Sequence, residues 1–127
     1  MSEHPPSRYQ FAQPVADLLA LRSRAHDPRL IAATIAATAE AAGLTVEQMI
    51  APGRGRQEVS HPRQVAMALC LELPGVTAEI VAKAFQRERS TICLSARAVQ
   101  RRMTPSLRAA MDRIRERVAL IRMTGQL

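Results

Sequence analysis

Five short signals cut this chain into helix-sized lengths. Asp27-Pro28, Thr45-Val-Glu-Gln48, Ser60-His61-Pro62, Thr77 and Thr104-Pro105 each place a small oxygen-bearing side chain, a proline or both where an α-helix would begin. Gly43 and Pro74-Gly75 stand where helices would end. Between these signals apolar residues recur every three or four positions, which is the helical period and not the alternation of a strand. Only 2% of the residues are aromatic against 47% hydrophobic. A core of Leu, Ile, Val, Ala and Met follows, and it suits packed helices better than sheets. The fold class expected is all-α.

The segments can be assigned in order. Residues 1–12 are expected to be a disordered tail, and residues 13–127 a single domain. Val15, Leu18, Leu19 and Leu21 suggest a short amphipathic helix from Pro14 to near Arg24. An Ala-rich helix then runs from Pro28 to Gly43, with Ile31, Ile35 and Thr38 along it. Thr45 and Gln48 form a capping box for a short helix carrying Met49 and Ile50. APGRGRQEVS reads as a loop bearing Arg54 and Arg56, and Ser60-His61-Pro62 is expected to open the next helix. That helix has the stripe Val65, Ala66, Leu69, Cys70 and Leu73, and the one after Thr77 turns Ile80, Val81, Ala84 and Phe85 inward.

The charge is lopsided. Residues 1–60 balance six arginines against six acids, whereas residues 61–127 carry eleven arginines and one lysine against five acids. The net charge of +7 therefore belongs to the second half. A one-sided positive field attracts polyanions, nucleic acid first and an anionic membrane second, although a basic solvated surface looks the same in sequence. The membrane alternative is disfavoured because no Arg-bearing helix has a Trp- or Phe-rich face.

Other classes leave little trace. Cys70 and Cys93 sit within apolar helical patterns and are expected to be buried free thiols; neither they nor His4, His26 and His61 have metal-ligand spacing. No catalytic constellation, cofactor motif or membrane-length apolar run is recognisable, so the expectation is a non-enzymatic, cytoplasmic, nucleoid-associated protein without a cofactor. In the last segment Leu107, Met111, Ile114, Val118 and Ile121 follow heptad spacing over residues 105–122. Packing against its own domain is the expected use, and a dimer seam the alternative, since the pattern lasts only about two heptads. A monomer or weak dimer is therefore expected.

The stretch AFQRERSTICLSARAVQRR, residues 84–102, focuses the question. Ile92, Ala96 and Val99 fall on one side of a helix, and Ser90, Leu94, Arg97 and Arg101 on the other. With the helix before it, this segment can form a helix-turn-helix whose second helix enters the DNA major groove by its leading end. Arg89, Ser90 and Thr91 occupy that end; Arg can bond guanine bidentately, Ser and Thr several bases, and Leu94 can meet a thymine methyl. Arg97, Arg101 and Arg102 would reach phosphates. Periodicity alone favours a helix hairpin with a salted outer face, since most amphipathic helices bind nothing.

The runs HPRQVAMALCLEL and EIVAKAFQRERSTICLSARAV together resemble the DNA-binding C-terminal domain of the bacterial replication initiator DnaA. The similarity extends over about residues 28–122, and two linked motifs at the right separation carry it. It implies a helix-turn-helix bundle of about six helices, Trp-repressor-like, that binds double-stranded DNA. By the same resemblance Arg87 matches the motif arginine, Glu88 its aspartate, Arg89 its histidine, Ser90 and Thr91 its threonine pair, and Ile92 its buried valine. Arg63 and Gln64 match the pair opening the earlier helix. With the resemblance, Arg89, Ser90, Thr91 and Leu94 are the expected base contacts and Arg54, Arg56, Arg63, Gln64 and Arg87 the expected backbone or minor-groove contacts, beside Arg97 and Arg101 from the helical spacing.

Three departures from the family pattern stand out. The turn is one residue shorter, with Gln86 where the family has two glycines. Arg89 replaces a neutral imidazole by a fixed charge that prefers guanine. No phosphate-binding loop of an ATPase is present: Lys83 follows no glycine-rich stretch. The resemblance thus implies occupancy of a short site in the control of replication initiation, the initiator itself being a possible partner. A transcriptional regulator with a diverged site, or an interaction module using helix 105–122, are the alternatives.

Overall fold

The computed structural model describes residues 26–125; the expected tail over 1–12 and the helix from Pro14 to Arg24 lie outside them. The described residues form six α-helices and no strand: α1 (Pro28–Ala42), α2 (Val46–Ile50), α3 (Gln57–Leu71), α4 (Ala78–Phe85), α5 (Arg89–Arg101) and α6 (Pro105–Thr124).

The capping signals act as their chemistry requires. Asp27 accepts from the Arg29 N–H at 3.0 Å, and Pro28 occupies the first helical position, where no N–H is needed. Gly43 ends α1 at φ 71°, with the Leu44 N–H reaching back to the Ala39 carbonyl. Thr45 and Gln48 cap each other reciprocally: the Gln48 N–H donates to Thr45 Oγ1 at 3.1 Å and the Thr45 N–H to Gln48 Oε1 at 2.9 Å. Thr77 and Thr104 cap α4 and α6 from one side only, as Asp27 caps α1.

Both ends of the helix after the loop at 51–56 differ from the sequence expectation: it closes at Leu71, short of Leu73 and of the expected stop at Pro74-Gly75. The helix expected to open at Ser60-His61-Pro62 begins a turn earlier, at Gln57, and Pro62 lies inside it. Proline biases its predecessor away from the helical region, which is why it reads as a start signal. Here the first turn is secured instead by the Val59 and Ser60 N–H groups donating to the Arg56 carbonyl.

Helix α3 is the hub of the bundle. It packs against each of the other five helices. On one side Ala66, Met67 and Cys70 join Ile31, Ile35 and Ala39 of α1, Met49 of α2, Val81, Ala82 and Phe85 of α4 and Ile92 of α5. On the other side Val65 and Leu69 join Leu30 and Ala37 of α1, Val99 of α5 and Met111, Ile114 and Val118 of α6. The first cluster thus holds α4 and the leading half of α5, and in the second Val99 ties the far end of α5 to α6. The buried hydroxyls of Thr34 and Thr38 are satisfied locally by the carbonyls four residues back, each at 2.7 Å.

The heptad stripe of α6 is used within the chain: Met111, Ile114 and Val118 are buried, and Leu107 and Ile121 pack beside them. Two ion-paired arginines fasten the outer side of α6. Arg117 meets Glu40 of α1, and Arg115 grips Glu72 at 2.7 and 2.9 Å while also meeting Asp112.

Candidate nucleic-acid interface

The turn between α4 and α5 sets the geometry of the site. Gln86, at φ 55° and ψ 47°, is the one non-glycine residue among those described with a left-handed backbone. Its N–H donates to the Lys83 carbonyl and the Arg87 N–H to the Ala82 carbonyl, closing α4 with the double bond pattern that usually recruits glycine. Three residues, Gln86 to Glu88, then separate α4 from α5. Glu88 is the N-cap of α5 in extended conformation, and its carbonyl takes up the Thr91 and Ile92 N–H groups.

Helix α5 is amphipathic, with one residue of difference from the expected face. Ile92, Ser95 and Val99 are buried, whereas Ala96 is half-buried at the edge. Arg89, Ser90 and Thr91 are exposed in the first turn, and Arg97 and Arg101 are exposed further along. Leu94 is 59% exposed, an unusual position for leucine on a helix that buries its opposite side so well. Cys93 is also exposed, so the expectation of two buried thiols holds only for Cys70. A run of Ile-Cys-Leu cannot be buried throughout, because successive helical residues point about 100° apart.

A groove of about 910 Å³ runs between α5, the start of α3 and the loop at 51–56. Thr91, Leu94, Ser95, Ala98 and Arg101 form its α5 wall, and Gly53 and Arg54 its loop wall. Ser60, Arg63, Gln64 and Met67 of α3 and Gln86, Arg87 and Glu88 of the turn complete it. The groove brings together Thr91, Leu94, Arg101, Arg54, Arg63, Gln64 and Arg87 of the residues singled out from sequence. Arg89, Ser90, Arg56 and Arg97 are exposed outside its lining. Arg102 is separate: it is half-buried at the end of α5 and lines a different cavity, with His61, Pro62 and Thr104.

Two of the expected phosphate contacts are engaged elsewhere. Arg63 is only 5% exposed. Its Nε donates to the Met49 carbonyl at 2.7 Å, Nη1 to those of Gly53 and Arg54 at 3.1 and 2.9 Å, and Nη2 to that of Gln48 at 2.9 Å. Arg87, half-buried, donates from Nη1 to the Phe85 carbonyl at 2.6 Å and from Nη2 to those of Ala51 and Gly53, each at 2.7 Å. Burial and the neighbouring Arg87 charge both pull the Arg63 pKa below its ordinary value. Gln64 is half-buried, and its Oε1 is buried without a hydrogen-bond partner, beside the groove.

Ser60, Ser95 and Ala98 belong to the groove although sequence reasoning passed over them. Helical spacing was the available signal: Thr91, Leu94 or Ser95, Ala98 and Arg101 follow one another at steps of three and four. Ser95 and Ala98 are small enough to leave room beside the helix where a polyanion could approach.

An all-helical scaffold with a short turn between two packed helices, and a second helix whose leading end is bare and basic, defines a DNA-binding helix-turn-helix protein. Among the described residues no helix is long and apolar enough to cross a membrane. The bacterial DnaA protein helix-turn-helix family model matches residues 31–99, from α1 to the last turn of α5. The chain belongs to that family.

Proposed function

We propose that this protein recognises a short duplex site through the leading end of α5 and acts by occupying it, in the regulation of replication initiation. The observation that carries the reading is the outward turn Arg89-Ser90-Thr91, adjoining a groove that Arg54 lines from the opposite wall. An α5 seated in the major groove would put Arg89, Ser90 and Thr91 at base edges and Leu94 at a thymine methyl. Arg54 and Arg56 would then reach the backbone or the adjacent minor groove, and Arg97 and Arg101 the phosphates beside α5. Competition with the initiator for its boxes is the simplest mechanism, because it requires nothing beyond binding.

Arg89, where the family has histidine, favours a second reading in which the preferred site has diverged toward guanine and the regulated process is transcription. Selection of bound duplexes from a random pool separates the two: an initiator-like box supports the first, and an unrelated motif the second. The residue roles are tested by titration. Arg89→Ala should cost ~1–3 kcal/mol and relax preference at one base pair, whereas Arg97→Ala should weaken every duplex alike. Equal losses for both variants on all duplexes would refute the assignment.

A further inference from the structure

We infer that Arg63 and Arg87 are positioning residues that lock the 51–56 loop against the start of α5, so that Arg54 and the base-reading turn are presented at a fixed separation. The inference rests on the DNA-binding reading above and adds to it a device internal to the protein. Five main-chain carbonyls between Gln48 and Arg54 converge on the two guanidinium groups. Neither group forms an ion pair among the described residues. A guanidinium so placed is held by its fixed fork of N–H donors, and lysine could not reproduce that geometry.

The Gly53 carbonyl is the shared node, accepting from both Arg63 and Arg87. Gly53 has φ 86°, a backbone state that other residues adopt at a cost. The next carbonyl, that of Arg54, is drawn inward by Arg63. Because that carbonyl is fixed, the direction of the Arg54 side chain is constrained from its own backbone, and that side chain is exposed on the groove. Arg87 ties the same loop to the residue next to Glu88, the N-cap of α5. One linkage therefore spans both walls of the groove. A phosphate could compete for these groups only by drawing donors away from carbonyls they already satisfy.

Limited trypsin digestion of the full chain without DNA tests the lock, since Arg54 and Arg56 are themselves cleavage sites. In Arg87→Lys and Arg63→Lys, cleavage after Arg54 or Arg56 should accelerate roughly tenfold while cleavage within α6 is unchanged, as expected for loss of charge-assisted bonds that restrain local opening. Arg87→Lys keeps the test usable if the buried Arg63 variant fails to fold. Binding to a duplex enriched from the random pool supplies the second arm. Arg87→Lys should lose affinity in the native background but lose little more once Arg54→Ala is present, because both changes remove the same oriented contact. Unchanged loop cleavage, or losses that add fully as for an independent phosphate contact, would overturn the inference. If no duplex is enriched, the DNA-binding reading fails while the DNA-free digestion still decides the lock.

Discussion

Two cysteines on different helices illustrate how finely the fold sorts chemistry. Cys70 is fully buried on α3, and burial pushes its thiol up to about 12 from an ordinary 9.0. Cys93 lies exposed on α5. A thiol reagent should therefore label one cysteine of the native protein quickly and the second only on unfolding; rapid labelling of both would contradict the packing around Cys70. The same burial has a pH signature. Between pH 9 and 12 the folded chain keeps a proton that the unfolded chain has lost, so stability falls as pH rises through that window. Cys70→Ala should flatten that part of the stability profile measured by denaturant unfolding. At this scale sequence was a partial guide. The arginines 63 and 87 were visible as candidates, but a long cationic side chain can turn toward solvent or back onto carbonyls, and only the loop's path decides which.

Helices and their ends were the most legible level, because a cap is a local bargain between one side chain and the next turn. Asp27, Thr45, Thr77 and Thr104 each cap the helix their position announced. Pro62 misled because tertiary contacts on α3 carry the helix through a residue that would ordinarily begin one. On α5 the buried residue is Ser95 and not Ala96, since polarity alone does not tell which small residue faces inward. Gln86 supplies a prediction about the turn. Its left-handed backbone is one that glycine adopts without strain, so Gln86→Gly should stabilise the protein by ~0.5–1 kcal/mol after allowing for glycine's greater freedom when unfolded. Thermal unfolding would register this as a higher midpoint. A lower midpoint would mean that the Gln86 side chain contributes more than its backbone strain costs.

For the molecule as a whole, the second half of the sequence supplies both the excess of charge and most of the buried core. The excess of arginine lies in residues 61–127, yet not all of it is available to a polyanion: Arg115 and Arg117 are paired with acids, and Arg63 and Arg87 are bound to carbonyls. Arg54, Arg56, Arg97 and Arg101 remain as the expected phosphate contacts, which gives a slope of log affinity against log salt of roughly −3.6 at about 0.9 per contact. Replacing Arg54 and Arg56 together by alanine should reduce its magnitude by about 1.8. A slope unaffected by both substitutions would place the loop away from the DNA. The bundle itself was legible from apolar spacing, including the inward use of the α6 stripe. The groove was not, because its walls come from segments 30 or more residues apart, such as Arg54 and Thr91.

The loop at 51–56 is anchored by its peptide oxygens and by none of its side chains. Such an anchorage is indifferent to what residues 52, 54 and 56 carry outward. Relatives could therefore exchange those side chains, and with them the contacts offered to a duplex, without rebuilding the scaffold that holds them.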